Sequence, residues 1–334
     1  MINILLIGAG KIGSRHLQAL SQVKIKNTKI FIVDLSRSAL DVAKSRFNEM
    51  PANNNIISTS YTTKIDDIEE DSIDLAIVAT TSDHRKLVIK DLCSSFRVKN
   101  IILEKFLFQD EDSYAEVSEI LLQSEAKAWV NCPRRQWDFY NNLKKKLLNS
   151  KIIQFDVIGT KWSIATSAIH FIDLISFLTG NIDYEISNLE FGGNYVPSYS
   201  IVTGPREDKY VEFFGSMHGR FANSTFFNFT CVEEQTPFSI ILKTEKLMLS
   251  IYEELGKYYI QSVVDNKIFS EEKILYMPYQ SEISNISAED IINNGECSLT
   301  EFTESAKLHT ILLRSYLSYL SAIKDENIKV CPIT

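Results

Sequence analysis

MINILLIGAGKIGSRH, Met1 to His16, decides how the rest of the chain is read. Ile2, Ile4, Leu5, Leu6 and Ile7 make a short, nearly continuous apolar run. Such a run predicts a strand buried on both faces in the middle of a parallel sheet. Gly8, Ala9, Gly10, Lys11, Ile12 and Gly13 follow as G-x-G-x-x-G, with a helical pattern starting near Lys11. In a turn of this kind Gly8 permits the bend and Gly10 leaves bare backbone for a pyrophosphate. Gly13 lets the helix lie close against the strand. The helix N-terminus offers unpaired N–H groups and a partial positive charge to the phosphates.

Glycine-rich turns are common, and it is the surroundings that sharpen this one. A second strand, Lys29–Val33, ends at Asp34, 21 residues after Gly13. An acid at that distance is placed to accept hydrogen bonds from an adenosine ribose. A sharp turn followed by a helix-capping Asp is the plainer alternative. Strand, glycines, helix and acid in register point to a dinucleotide. The Asp34 carboxylate repels a 2′-phosphate and so favours NAD, while the nearby Arg37 keeps NADP possible.

The chain has 334 residues, more than one ordinary core, so two domains are expected. A formal charge of −8 argues against a nucleic-acid partner, which needs a basic surface. The run Lys144–Lys146 sits on an expected helix and reads as a solvated face. Five cysteines are scattered without a C-x-x-C pair, which suggests neither a disulfide framework nor a metal site and fits a reducing cytoplasm. The N-terminus enters a strand at once, leaving no room for a signal peptide, and no apolar run reaches membrane-spanning length.

Strands and helices then alternate. A helix over 38–47, a loop at Asn53–Asn55, a strand from Ile56 and an acidic turn at 66–71 precede the strand Asp74–Val78. That strand runs into Ala79, Thr80, Thr81, Ser82, Asp83 and His84. Small and hydroxyl residues there suit a ligand pocket above the sheet edge; equally, Ser82 or Asp83 would cap a helix over Arg85–Ser95. The strand Asn100–Leu103 delivers Glu104 and Lys105 to its carboxyl end, where such sheets bind ligands. A helix over 111–123 and a strand over 128–130 complete residues 1–131 as an α/β, doubly wound parallel sheet of Rossmann type. Asn131–Arg135 is the exit. Arg134 and Arg135 could hold a substrate carboxylate or phosphate, or merely decorate the start of a helix over 137–148.

Residues 132–334 read differently. A strand over 152–158 and a helix over 167–178 closed by Gly180 are followed by β segments at 210–216, 220–230, 238–243, 247–252 and 258–264. His218-Gly219 reads as a hairpin tip. Consecutive strands without helices imply an open-faced, mostly antiparallel sheet of α+β type. A second copy is expected to cover its face, giving a homodimer or homotetramer. A helix over 301–320 ends the pattern.

Three separated stretches carry a family resemblance. Ser14-Arg15-His16 after the glycines, Glu104-Lys105 at a strand end, and Ile169-His170-Phe171-Ile172-Asp173-Leu174 together resemble the Gfo/Idh/MocA oxidoreductases over nearly the whole chain. The segments 102–105, 130–135 and 168–173 look most like members found in surface-glycan biosynthesis. The resemblance implies hydride transfer between a nicotinamide and a carbinol or carbonyl carbon of a sugar or nucleotide-sugar. It implies that Lys105 orients or polarises the reacting oxygen and that His170 takes or gives the proton. Thr80, Thr81, His84, Glu104 and Lys105 then stand near the cofactor, and Arg134, Arg135, Trp162, Thr166 and His170 near the substrate, with no metal. Asp173 reads as a structural partner and His16 as packed beside the phosphate turn. A packed helix residue bonded to Asp173 or backbone is the plainer reading of His170. Two positions depart from the family pattern: Phe106 replaces a proline, and Thr166 replaces an aspartate four residues before the histidine. The loop 159–167 is short as well. Two alternatives to net dehydrogenation follow: a tightly held NAD used for epimerisation or elimination, and a catalytically silent NAD(P)-binding regulator.

Overall fold

The computed structural model describes residues 1–192, 200–201, 210–264 and 267–334. The chain forms two compact units, one of residues 1–133 with 278–306 and the other of residues 134–277 with 307–334. The expected division at 131/132 does not provide for residues 278–306, which rejoin the first unit.

In the first unit, β1 (Ile2–Ile7), β2 (Thr28–Val33), β3 (Ile56–Thr62), β4 (Leu75–Val78), β5 (Asn100–Leu103) and β6 (Lys127–Val130) form one sheet. Their order is β6-β5-β4-β1-β2-β3, and all of these pairs are parallel. The two-residue strand Thr300–Glu301 adds antiparallel to β6. Between strands run α1 (Lys11–Leu20), α2 (Arg37–Asn48), α3 (Ser82–Ser95) and α4 (Glu111–Gln123). This is the doubly wound Rossmann arrangement expected from the opening stretch. Strand order reverses at β1, between β2 and β4, which is where such folds bind ligands. The central strands are apolar on both faces because helices cover both. Ile4, Leu6, Ile30, Ile32, Leu75 and Ile77 are essentially inaccessible and pack with Leu17, Leu20, Leu40 and Ala43.

The helix Gln280–Asn294 belongs to this unit, with Ala288 and Ile291 in the same core. Its first turn is fixed by Glu282, which accepts from the Tyr279 N–H at 2.7 Å, and it stops at Gly295 with φ 74°. Isolated isoleucines among Ser, Asn, Glu and Asp gave it no clear apolar stripe in the sequence.

In the second unit, α5 (Asp138–Leu147) and α6 (Ile164–Thr179) accompany an eight-stranded sheet. Its strands are β7 (Ile152–Thr160), β8 (Tyr184–Phe191), β9 (Gly215–Phe221), β10 (Phe226–Val232), β11 (Ser239–Thr244), β12 (Leu247–Tyr252), β13 (Lys257–Val264) and β14 (Lys267–Ile274). The order is β8-β9-β10-β7-β11-β12-β13-β14, with β10 and β7 parallel and every other pair antiparallel. One face is buried by Phe155, Val157, Phe227, Phe229, Ile240 and Leu242; the alternate residues Gln154, Asp156, Asn228 and Lys243 are only partly buried. The alternation follows the two-residue side-chain period of a strand. The expected β segment 210–216 divides in two: Val211–Glu212 pairs antiparallel with Ser200–Ile201, and β9 begins at Gly215.

Two readings of this half need correction. His218-Gly219 is not a hairpin tip: His218 lies mid-strand in β9, opposite Asn188 and Asn228. The turn comes later, with Ser224 in the left-handed region at φ 68° and Phe221 N–H bonded to Thr225 O. Lys144 is not simply solvated, since its Nζ lies 4.0 Å from the centre of the Phe177 ring.

Candidate functional site

The phosphate turn is shaped by contacts between backbones. Gly8 has φ 93°, and a Cβ there would stand 2.8 Å from the Ala79 carbonyl carbon and oxygen. A Cβ on Gly13 would fall 1.8 Å from Gly8 O. Both glycines are therefore demanded by the protein itself. Gly10 differs: its φ is −64°, open to any residue, and a Cβ there would meet nothing within 4 Å. A glycine that neither conformation nor packing requires, facing open space at a helix N-terminus, fits a turn kept bare for a ligand.

Asp34, at the end of β2, closes the turn. Its Oδ2 accepts from the Ala9 N–H at 2.6 Å, and its Oδ1 accepts from Ser36 N–H at 2.8 Å. Just beyond it, Arg37, Leu40, Asp41, Lys44, Tyr61, Thr62, Thr63 and Asp67 line a cavity of about 330 Å³. Lys11 is exposed at the turn and Ile12 is partly buried.

Across the switch point, Thr80 Oγ1 is buried yet has no hydrogen-bond partner among the described residues. A buried hydroxyl left unsatisfied costs about 1–3 kcal/mol. An orphaned oxygen directly after β4, beside the Gly8 bend, is a second feature that fits a bound cofactor. The helix here starts earlier than expected. Ser82 is its first residue, Thr81 occupies the cap position without a side-chain bond, and neither Ser82 nor Asp83 caps a helix at Arg85. Ser82 Oγ instead accepts from Gln109 Nε2 at 3.1 Å. His84 is exposed, with Nε2 3.4 Å from Asp83 Oδ2.

Glu104 and Lys105 part company. Glu104 is buried, and its Oε1 accepts from His16 Nε2 at 2.8 Å and Asn131 Nδ2 at 2.5 Å. Burial opposes its charge, but His16, Asn131 and the nearby Lys105 outweigh burial and hold its pKa below the usual 4.5. Its carboxylate is thus engaged inside the unit. His16 is equally committed, with Nδ1 2.7 Å from Ser284 Oγ. Lys105 is only partly buried, and its peptide bond to Phe106 is cis. The fully buried Arg85 donates to the carbonyls of Phe106, Leu107 and Thr80. No reading of the sequence singled out Arg85; a helix arginine carries no signal of being buried.

In the second unit, α6 is apolar and buried on nearly every side, and the partly accessible Thr166 and His170 share one stripe, four residues apart. Strand β7 runs on to Thr160, so residues 161–163 alone connect it to α6, with Lys161 at φ 48° and Ser163 at φ 67°. The start of α6 is held by Glu212, whose Oε1 accepts from Ala165 N–H at 2.6 Å and Phe213 N–H at 2.8 Å. An anion at a helix N-terminus is favourable. Trp162 Nε1 donates to Thr230 O at 2.8 Å, and its ring packs edge-on against Phe171, Phe229 and Phe238.

The two exit arginines, read as holding a substrate anion or decorating a helix start, each meet a carboxylate inside the second unit. Arg134 donates from Nε at 2.8 Å and Nη2 at 2.5 Å to Glu253, and lies over the rings of Phe171 and Trp137. Burial works against its charge, yet Glu253 raises its pKa above the ordinary value. Tyr140 also donates to Glu253, at 2.6 Å; burial first and then that carboxylate push its phenol well up. Arg135 Nε donates to Asp173 Oδ2 at 2.8 Å, so Asp173 has the structural role expected of it, but toward Arg135.

Residues 2–132 match the Gfo/Idh/MocA oxidoreductase family, through its NAD-binding Rossmann fold. No curated protein matches the sequence. Solved structures share the fold. UDP-N-acetylglucosamine 3-dehydrogenase from Acidithiobacillus ferrooxidans is 12% identical, with a TM-score of 0.66 over 94% of this chain and 96% of its own. An oxidoreductase from Agrobacterium radiobacter, in complex with NAD+, L-tartaric acid and magnesium, is 12% identical with a TM-score of 0.66 over 97% of both chains. The super-repressor mutant of Gal80p from Saccharomyces cerevisiae is 12% identical, with a TM-score of 0.69 over 96% of this chain and 97% of its own. Among the described residues no group of His, Cys, Asp and Glu could hold a metal ion, and no helix is long and apolar enough to cross a membrane.

Proposed function

We propose that the protein is an NAD(P)-dependent oxidoreductase acting on a carbinol or carbonyl carbon of a sugar or nucleotide-sugar, with NAD the favoured cofactor. The glycine turn carries this reading: Gly10 faces open space at the switch point of the sheet, with Asp34 and the orphaned Thr80 hydroxyl beside it. The nicotinamide, when bound, supplies the hydride acceptor or donor. Asp34 disfavours a 2′-phosphate, while Arg37 and Lys44 in the adjoining cavity leave room for one. Lys105 supplies a cation that favours negative charge developing on the substrate oxygen. His170 is the group proposed to take or give the hydroxyl proton, a task suited to an imidazole near neutral pH. A place in surface-glycan biosynthesis is supported by the likeness at 102–105, 130–135 and 168–173 and by the fold shared with a UDP-N-acetylglucosamine dehydrogenase. A reducing cytoplasm suits the five free thiols. Pairing of two or four copies through the open sheet face belongs to the same proposal, and mass measurement in solution tests it.

The test is titration with NADH and NADPH by fluorescence, then near-ultraviolet absorbance during incubation with UDP-N-acetylglucosamine and free hexoses. Lys105→Ala is expected to abolish turnover while leaving NADH affinity largely intact. Failure to retain either cofactor would sink the proposal. Turnover that needs no added NAD would indicate an internal redox cycle ending in epimerisation or elimination. A second reading, a cofactor-binding regulator, draws on Phe106 and Thr166 in place of the expected proline and aspartate, and on the fold shared with Gal80p. Tight NADH binding without turnover of any sugar would favour it.

A further inference from the structure

Lys105 stands on a backbone gripped from both flanks by buried polar groups. On one flank Glu104 Oε1 takes bonds from His16 and Asn131; Asn131 Nδ2 also donates to Gln280 Oε1 at 2.9 Å. Gln280 Nε2 donates to Ser284 Oγ at 2.7 Å, which in turn meets His16 Nδ1 at 2.7 Å. On the other flank Arg85 holds the carbonyls of Phe106 and Leu107. The partners of Glu104 come from α1 and from the residue after β6, and both are held in turn by Gln280 and Ser284 of the helix Gln280–Asn294.

Stability alone does not account for a carboxylate and an imidazole at this place. Replacing a buried ion pair by apolar groups of the same volume is often neutral or stabilising. What the network provides is a fixed geometry between two particular points. His16 rides on α1, the helix whose N-terminus forms the phosphate turn, and Glu104 is joined by one peptide bond to Lys105. We propose that His16 and Glu104 are positioning residues that lock the Lys105 backbone to the phosphate-binding helix, so that cofactor seat and ammonium keep one separation. This deepens the proposed function and rests on Lys105 being the cation of that site. The bond from His16 Nε2 is the link: a donor at that point holds Glu104, and an apolar side chain cannot.

The test compares full-length wild type with His16→Leu, His16→Gln and Lys105→Ala. Lysines are ¹³C-methylated, and the Lys105 resonance is assigned by its loss in Lys105→Ala. NADH affinity is measured by fluorescence, and oxidation of UDP-N-acetylglucosamine with NAD is followed in parallel. His16→Leu is expected to move the Lys105 resonance to the position shared by exposed lysines, with NADH affinity changed less than about threefold. His16→Gln, which keeps a donor, is expected to preserve the wild-type resonance. An unmoved resonance in His16→Leu would overturn the inference, and so would equal loss of resonance and NADH binding in both variants, which marks mere support of the fold. Should His16→Leu not fold, His16→Ala, which also removes the donor, takes its place with the same outcomes. Lys105→Ala turning over sugar like wild type would sink the Lys105 reading, while the resonance still judges the network separately.

Discussion

Gly10→Ala should separate cofactor binding from folding. The Gly10 backbone, φ −64° and ψ −158°, lies where any L-residue can sit, and the added methyl meets no protein atom within 4 Å. Alanine also restricts the unfolded chain, so stability should hold or rise by about 0.4–1 kcal/mol. That corresponds to a melting temperature raised by about 1–4 °C. On the proposed function, the methyl fills the space through which a pyrophosphate would reach the Gly10 backbone. Losing one hydrogen bond to a charged group costs about 1.5–3 kcal/mol, or roughly 10- to 150-fold in affinity. Gly13→Ala is the contrast: its Cβ would sit 1.8 Å from Gly8 O, a backbone atom that cannot swing aside. It should destabilise by at least about 3 kcal/mol. Thermal unfolding and NADH fluorescence titration on both variants decide the matter. A Gly10→Ala protein that binds NADH like wild type, or one that unfolds like Gly13→Ala, refutes the assignment of the turn.

Three further outcomes are expected. Thr80→Val removes the orphaned hydroxyl, so chemical denaturation should show a gain of about 1 kcal/mol, and NADH titration a weaker complex. Because Glu104 has a depressed pKa when folded, its contribution is complete above the ordinary value of 4.5 and disappears as pH falls through the depressed one. Urea titrations should therefore show wild type more stable than Glu104→Gln at neutral pH, the gap closing in acid; a gap that does not change with pH would contradict the ionised carboxylate. Arg134→Met leaves Glu253 and Tyr140 buried without their cation and should cost about 3–5 kcal/mol, most of it recovered in Arg134→Met/Glu253→Leu, as thermal unfolding would show.

The first sheet was legible because its signals are local. Apolar runs at 2–7, 74–78 and 100–103, each followed by polar or glycine residues, are what strands covered on both faces require, and the glycine pattern fixes the turn after the first. Legibility failed where the deciding partner is far away in the chain. His16 meets Ser284 across 268 residues, and Gln280–Asn294 has no apolar stripe of its own to announce which sheet it covers. His218-Gly219 looked like a turn because glycine beside a polar residue usually marks one. In the fold Gly219 has a packing reason instead: a Cβ there would lie 2.2 Å from the Phe227 ring, on the neighbouring strand.

Adjacent residues at a strand end show why a motif cannot be assigned to a site as a block. Glu104 and Lys105 follow the end of β5, Lys105 already in a bend, and were both read as facing the cofactor, yet the two side chains meet different surroundings. Glu104 lies inside the unit, where burial is tolerable because His16 and Asn131 meet its oxygen. Lys105 is left partly accessible. Arg134 and Arg135 divide in the same manner between Glu253 and Asp173. In each pair a buried charge is matched by an opposite charge from a distant element, so the carboxylates that the sequence scattered at 173 and 253 were already spoken for. The Thr80 hydroxyl has no such mate among the described residues, and at Gly10 the turn stays open where any side chain would have fitted.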